Sequence, residues 1–230
     1  MSVILVFLLV IAGISAWWLA HQRLMSKPWL EQGSLTATAY TAAPGMPTAK
    51  FGLGVFLAVV GSLFALFASA YFIRMASLDW QAPPLPRVLW VNTGILVLSS
   101  VALHLGVSAS RRDALSSMRL ALVAGGLCTL AFLAGQLVAW RELSASGYWL
   151  RSNPANSFFY LLTGMHGLHI IGGLVALGRT TARAWTAESG DRVRLSVELC
   201  AMYWHFLLLV WLALFVLLAG WVNDFLAIGH

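Results

Sequence analysis

The stretch YLLTGMHGLHIIGG, Tyr160 to Gly173, decides how the chain must fold. It lies inside an apolar run too long for a strand and without period-two alternation, which predicts a helix. Two histidines three apart, His166 and His169, share one face of that helix. Gly173 extends the same stripe, and Thr163 with Gly167 forms a small-xxx-small pair that permits close helix approach. Histidine is costly in hydrocarbon and is a common metal ligand. The stretch therefore poses a choice between a metal centre and a helix-packing element.

Working outward, the 230 residues are 60% apolar and only 10% charged. A soluble domain would carry roughly 25% charged residues, so the chain is an integral membrane protein. A helical span needs about 20 mostly apolar residues. Six segments qualify: 2–20, 51–73, 88–107, 120–140, 156–178 and 197–221. The predicted fold class is an all-α membrane protein, a bundle of about six transmembrane helices. Short polar linkers join the spans, with one longer connection from His21 to Lys50. There is no room for a soluble domain, and the sequence has no internal repeat.

The net charge of +6 is distributed by side. One set of loops holds Arg23, Lys27, Lys50, Arg111, Arg112, Arg119, Arg179, Arg183, Arg192 and Arg194. The opposite set holds Arg74, Arg87, Arg141 and Arg151. By the positive-inside bias the richer set is cytoplasmic and both termini are periplasmic. The basic balance thus serves topology and anionic-lipid contact rather than nucleic-acid binding. Residues 1–20 lack a basic n-region, which favours a retained helix over a cleaved signal. Cys128 and Cys200 fall inside spans and read as small packing residues. Trp17, Trp18, Trp80, Trp90, Trp140, Trp149 and Trp221 cluster at span ends, as interfacial anchors do.

Of six histidines, His21 and His230 lie outside the spans and His104 lies near a span end. His166, His169 and His205 are interior. His169 and His205 each lie about 13 Å from the cytoplasmic ends of spans five and six, so they could meet across a helix pair. Three histidines at one level could bind a metal ion, and a pair could ligate a haem. No carboxylate or thiolate completes a shell at that depth, and Cys200 is a turn or more shallower. Interhelical hydrogen bonding, worth about 1 kcal/mol or less per contact, is the plainer role. Proton access or partner contact is a third. Glu198 sits at the cytoplasmic entrance of span six, five residues before YWHF (Tyr203 to Phe206), where it can face headgroups or pair with Arg192 or Arg194. No phosphate-binding loop, CxxC pair or nucleophilic triad is present.

Several segments together resemble subunit III of the haem–copper cytochrome c oxidases. The strongest are SFFYLLTGMHGLHIIGG, Ser157 to Gly173, and ELCAMYWHFLLLVWLALF, Glu198 to Phe215. FLAVVGSLFALFASAYFIR, Phe56 to Arg74, and PPLPRVLWVNT, Pro83 to Thr93, support them in the family's order. The resemblance covers roughly residues 51–221. It divides the chain into residues 1–50, an N-terminal transmembrane helix with a cytoplasmic linker, and 51–230, a five-helix bundle. It implies a non-catalytic subunit in a bacterial inner membrane, packed beside oxidase subunit I and in one complex with subunit II. The chain itself would bind no haem, copper or other metal; haem and copper belong to the partner subunits. Structural phospholipids and support of proton uptake and turnover stability are further implications. His166, His169, Glu198, Tyr203, Trp204 and His205 would lie inside the bundle as packing and polar-network residues, not catalysts.

The sequence departs from the family pattern at two acids. A membrane-embedded Glu frequent in the segment reading FLAVVGS here is Val60, level with His169 and His205. An Asp that often follows YWHF is Leu208. Family members commonly have seven spans or five, whereas this chain reads as five plus one. A subunit III-like accessory protein of a nitric oxide reductase is the nearest alternative. A metal-dependent membrane enzyme using His166, His169 and His205 is an alternative of another class. A transporter is disfavoured by the absence of repeats and broken helix pairs.

Overall fold

The computed structural model describes residues 48–220. Five long helices fill this region: α1 (Thr48–Met75), α2 (Val88–Arg111), α3 (Leu115–Ala145), α4 (Pro154–Thr186) and α5 (Asp191–Leu218). Each is long and apolar enough to cross a membrane. The first expected span, 2–20, lies outside the described residues, as do His21, Trp17, Trp18, Trp221 and His230.

Helices are the form such segments must take, because hydrocarbon offers no partner for an unpaired backbone amide. The short connections make consecutive helices antiparallel neighbours. α2, α3, α4 and α5 close into a ring in which each packs on the next and α5 returns to α2. α1 lies outside that ring, against α4 and α5. Burial follows from this arrangement: half of the most apolar window of α5 is buried within the protein, against 11% of that of α1. The main core runs through the ring around Leu96, Leu103, Phe132, Ile170, Trp204, Leu207 and Trp211. A second cluster, with Val60, Phe64, Tyr71, Leu162, Val210 and Leu214, fastens α1 to the ring.

Three helices extend well beyond the expected spans. α3 gains residues at both ends relative to 120–140, α4 continues past 178 to Thr186, and α5 begins at Asp191 rather than 197. At 1.5 Å rise per residue, the 33 residues of α4 reach about 50 Å, beyond the ~30 Å hydrocarbon core. Hydropathy registers only the part of a helix in lipid. Polar residues such as Arg183 and Arg194 continue the same hydrogen-bonded helix into the interface.

The turns have specific chemistry. α4 starts at Pro154, whose missing N–H costs nothing in the first turn, and Asn153 caps it by accepting from the Ala155 amide at 2.8 Å. The Asn153 amide also donates to the Gln81 carbonyl at 2.6 Å, tying the α3–α4 turn to the α1–α2 loop. In that loop Arg74 holds Asp79 through two hydrogen bonds, which lower its carboxyl below the usual carboxylate range. At the opposite end, Asp113 adopts φ 54°, a left-handed conformation that a short polar side chain tolerates. Its carboxylate accepts from the Gly190 amide, joining the α2–α3 turn to the α4–α5 turn. A Cβ at Gly190 would stand 2.8 Å from the Ser110 carbonyl oxygen, so only glycine allows this approach.

Two of the expected tryptophan anchors have other roles. Trp80 packs edge-on against Tyr71, and the Trp140 indole donates to Thr163 at 3.1 Å. A ring at a span end can satisfy its N–H on a neighbouring helix as readily as at the headgroup level. Trp90 and Trp149 are exposed as anchors should be, at 53% and 62%.

A tight helix contact in the ring is at Gly173 on α4. A Cβ there would fall 2.6 Å from the Tyr203 ring and 3.1 Å from the Trp204 ring, whereas a Cβ at Gly172 meets nothing within 4 Å. Gly173→Ala should therefore destabilise the bundle by about 1–3 kcal/mol through overpacking. Gly172→Ala should be neutral or slightly stabilising. Thermal unfolding of the two variants in detergent checks the contrast.

Candidate functional site: a polar network across the helix ring

One device recurs three times inside the bundle. The indole N–H groups of Trp204, Trp211 and Trp140 donate to the hydroxyls of Thr129, Thr93 and Thr163 at 3.0, 2.9 and 3.1 Å. Each threonine hydroxyl in turn donates to its own helix, to the carbonyls of Gly125, Leu89 and Phe159. Back-bonding of this kind fixes the hydroxyl and leaves its lone pairs for the indole of another helix. The three bonds join α5 to α3, α5 to α2 and α3 to α4. Ser99 on α2 adds a bond to the Gly125 carbonyl at 2.9 Å and a hydroxyl contact with Thr129 at 2.8 Å.

His166 is fully buried at the same core. Its Nε2–H donates to the Leu207 carbonyl on α5 at 3.1 Å. Its ring lies between Phe132 and Trp211, with centroids 5.8 and 5.1 Å away, and meets Phe64 of α1 at 6.4 Å. His169 is half-buried, and its Nδ1–H donates to the Met165 carbonyl one turn back at 2.7 Å. The Tyr203 hydroxyl donates to the His169 carbonyl at 2.9 Å. Both histidine rings approach Phe64, the His169 centroid at 5.5 Å. The shared face read from their spacing is thus the face toward α1 and α5.

One expectation is corrected and another extended. His205 neither meets His169 nor lies in the interior: it is exposed, its Nδ1 paired with the Ser100 hydroxyl and its ring 5.6 Å from that of His104 on α2. Equal depth placed the two histidines at one level, but depth carries no angle. Tyr203 and Trp204 already occupy the inward directions of that turn of α5, which leaves His205 to face out. Glu198 pairs not only with Arg194 at 3.3 Å but with Lys50 of α1 at 2.5 Å and Arg111 of α2 at 3.2 Å. Arg192 goes instead to Glu188. Glu198 therefore gathers three helices at one end of the bundle, with its own side chain only 11% exposed.

Val60 is 3% exposed and shares its small cluster with Phe64, the residue that meets both histidines. Leu208 packs against the main core. Apolar side chains thus fill both positions where the family pattern has acids. Among the described residues, no three His, Cys, Asp or Glu side chains converge on one point as metal ligands. The interior histidines are bonded to backbone carbonyls, which orients them toward helices rather than toward a common centre.

Sequence reasoning missed Thr93, Thr129, Ser99, Ser100 and Arg119. Arg119 donates to the Ala184, Trp185 and Ala187 carbonyls, closing the end of α4, and lies 5.9 Å from the Trp185 ring centroid. For Thr93 and Thr129 the available signal was a hydroxyl in an apolar span that can bond the carbonyl four residues back. Nothing local identifies their tryptophan partners.

The geometry defines a multi-pass helical membrane protein in which buried tryptophan, threonine and histidine side chains join neighbouring helices. Comparison with known proteins makes the class specific. The sequence pattern of the family described as "Cytochrome c oxidase subunit III" matches residues 39–223. "Probable cytochrome c oxidase subunit 3" of Mycobacterium bovis is 33% identical over 159 residues, 68% of this chain and 77% of the relative. "Cytochrome c oxidase subunit 3" of Thermostichus vulcanus is 34% identical over 172 residues, 73% of this chain and 84% of the relative. The protein of that name from Synechocystis is 33% identical over 175 residues, covering 73% of each chain. This chain belongs to the cytochrome c oxidase subunit III family.

Thr129→Val keeps the shape but leaves the Trp204 N–H buried and unpaired, which should cost about 1–3 kcal/mol. In a Trp204→Phe background the same change should cost clearly less, and a double-mutant cycle on thermal stability measures the difference. Glu198→Gln should destabilise by about 1–3 kcal/mol, because it leaves three neighbouring cations without their shared anion. The loss should be smaller in Lys50→Met, where one of those cations is already gone.

Proposed function

We propose that this chain is a non-catalytic structural subunit of a bacterial proton-pumping terminal oxidase, which reduces O2 to water. It packs against the catalytic subunit I in a complex that also holds subunit II. Family membership supports the complex, and the observation that carries the structural role is the disposition of His166. A fully buried histidine bonded to the Leu207 carbonyl and enclosed by the rings of Phe132, Trp211 and Phe64 supports a packing role. Haem and copper reside in the partner subunits, and this chain binds none.

The apolar side chains at Val60 and Leu208 argue against a proton relay through the chain's own interior. Its support of proton uptake and turnover stability is indirect, through holding the partner. Phospholipids are the expected second ligand. A membrane-facing groove between α3 and α4, floored by Leu122, Gly126, Leu177 and Gly178 and ending at Trp185, suits an acyl chain. Residence in the inner membrane follows from the same reading.

The test is mild solubilisation of membranes from cells producing the intact complex, with capture on this chain. The expected product contains a larger haem-bearing subunit, consumes O2 and shows haem absorbance that stays with that subunit when this chain is released. The released chain should carry no stoichiometric metal by elemental analysis. Capture of a nitric oxide-reducing complex instead would overturn the oxidase assignment, and a metal-loaded isolated chain would overturn the non-catalytic one.

A further inference from the structure

His104 and His205 form a polar pair outside the interior network, tied to the bundle through the Ser100–His205 hydrogen bond. They sit on adjacent antiparallel helices, α2 and α5, with ring centroids 5.6 Å apart, and both are exposed. Ser100 engages only Nδ1 of His205. Among the described residues, Nε2 of His205 and the whole His104 ring have no hydrogen-bond partner. The surrounding surface is apolar. Val97 and Val101 continue the α2 stripe, while Met202, Leu209 and Leu212 continue that of α5; all five are exposed.

The depth of the pair is fixed by the ion cluster at one end of the same face. His104 precedes Arg111 by about two helical turns and His205 follows Glu198 by about two, so the pair lies about 10 Å deeper than the charges. Only acyl chains reach such a depth from the lipid side, and they offer no hydrogen bond. Ionisable side chains within spans almost always face protein or a water-filled cavity. The face ends in Lys50, Arg111 and Arg194 around Glu198, with Asp191 also 3.9 Å from Arg194: three cations against two carboxylates, a net positive rim.

We propose that the α2–α5 face centred on His104 and His205 is the docking surface for a transmembrane helix of the haem-bearing partner subunit. That helix supplies a hydrogen-bonding side chain at the level of the histidines and an acidic or uncharged segment at the rim. This rests on the oxidase-subunit reading above and deepens it by naming the face. A lipid tail would leave the two rings unsatisfied, whereas a partner helix with one polar residue meets both the apolar stripe and the pair.

The experiment uses the whole complex, captured through a tag on the haem-bearing subunit. One arm replaces the pair by His104→Leu with His205→Leu. A second arm places a photo-crosslinking residue at Leu209, with the exposed α3 position Leu127 as the control face. The amount of this chain per haem should fall by about tenfold after detergent washing in the double variant. The crosslinker at Leu209 should form an adduct with the haem-bearing subunit, and that at Leu127 should not. If the double variant misfolds in isolation, the crosslink alone decides. Undiminished capture of a folded double variant would overturn the proposal while leaving the oxidase-subunit reading intact. So would adducts at Leu209 only with lipid or with residues 1–47 of the chain itself. Failure of the wild-type chain to be captured at all would overturn the oxidase-subunit reading and this one with it.

Discussion

The constraint on which the bundle depends is that a buried indole N–H inside the membrane must find its acceptor on another helix. The indole of Trp204 meets the Thr129 hydroxyl at 3.0 Å, and Trp211 meets Thr93 at 2.9 Å. Both tryptophans are 1% exposed, so no headgroup or bulk water can substitute. Apolar faces alone would not fix which helix lies beside which, because lipid tails solvate them equally well. The threonine–indole bonds select neighbours and register. They make α5 the member of the ring to which α2 and α3 are both bonded.

Other features follow from that placement of α5. Tyr203 and Trp204 point inward and require Gly173 on α4, where no Cβ would fit. The Leu207 carbonyl then receives His166, which brings α4 and α5 together one turn further along. With the inward directions taken, His205 must face out beside His104. At the charged end, Glu198 draws Lys50 of α1 and Arg111 of α2 onto the start of α5. The otherwise sparsely buried α1 is thus fixed by an ion pair at one end and by Val60, Phe64 and Tyr71 along its length.

How much of the site could be read in the sequence varied residue by residue. The shared face of His166 and His169 was legible, because a three-residue spacing fixes it on any helix. The role of Glu198 as a helix-end acid with Arg194 was legible too, since both lie on one helix one turn apart. Its bonds to Lys50 and Arg111 were not, because these residues lie 148 and 87 positions away in the chain. Depth counting put His169 and His205 at one level but could not give the angle about the α5 axis that turns His205 toward His104 of α2. The helix ends at Thr186 and Asp191 were also hidden, since hydropathy falls where lipid ends while the hydrogen-bonded helix continues.

By itself, the sequence determined the membrane class, the five described helices in order, and the family, because apolar length and short motifs are local properties. The tertiary structure alone decided the closure of α2 through α5 into a ring with α1 outside it. It also decided the pairing of each buried tryptophan with its threonine and the outward turn of His205. Those outcomes depend on the angle of each side chain about its helix axis relative to a neighbour distant in sequence. The TGMHGLHIIGG segment shows both parts: its helix and its shared histidine face were written in its spacing, while the Leu207 carbonyl and the Trp211 and Phe64 rings that meet those histidines came only from the packing of α5 and α1 against it.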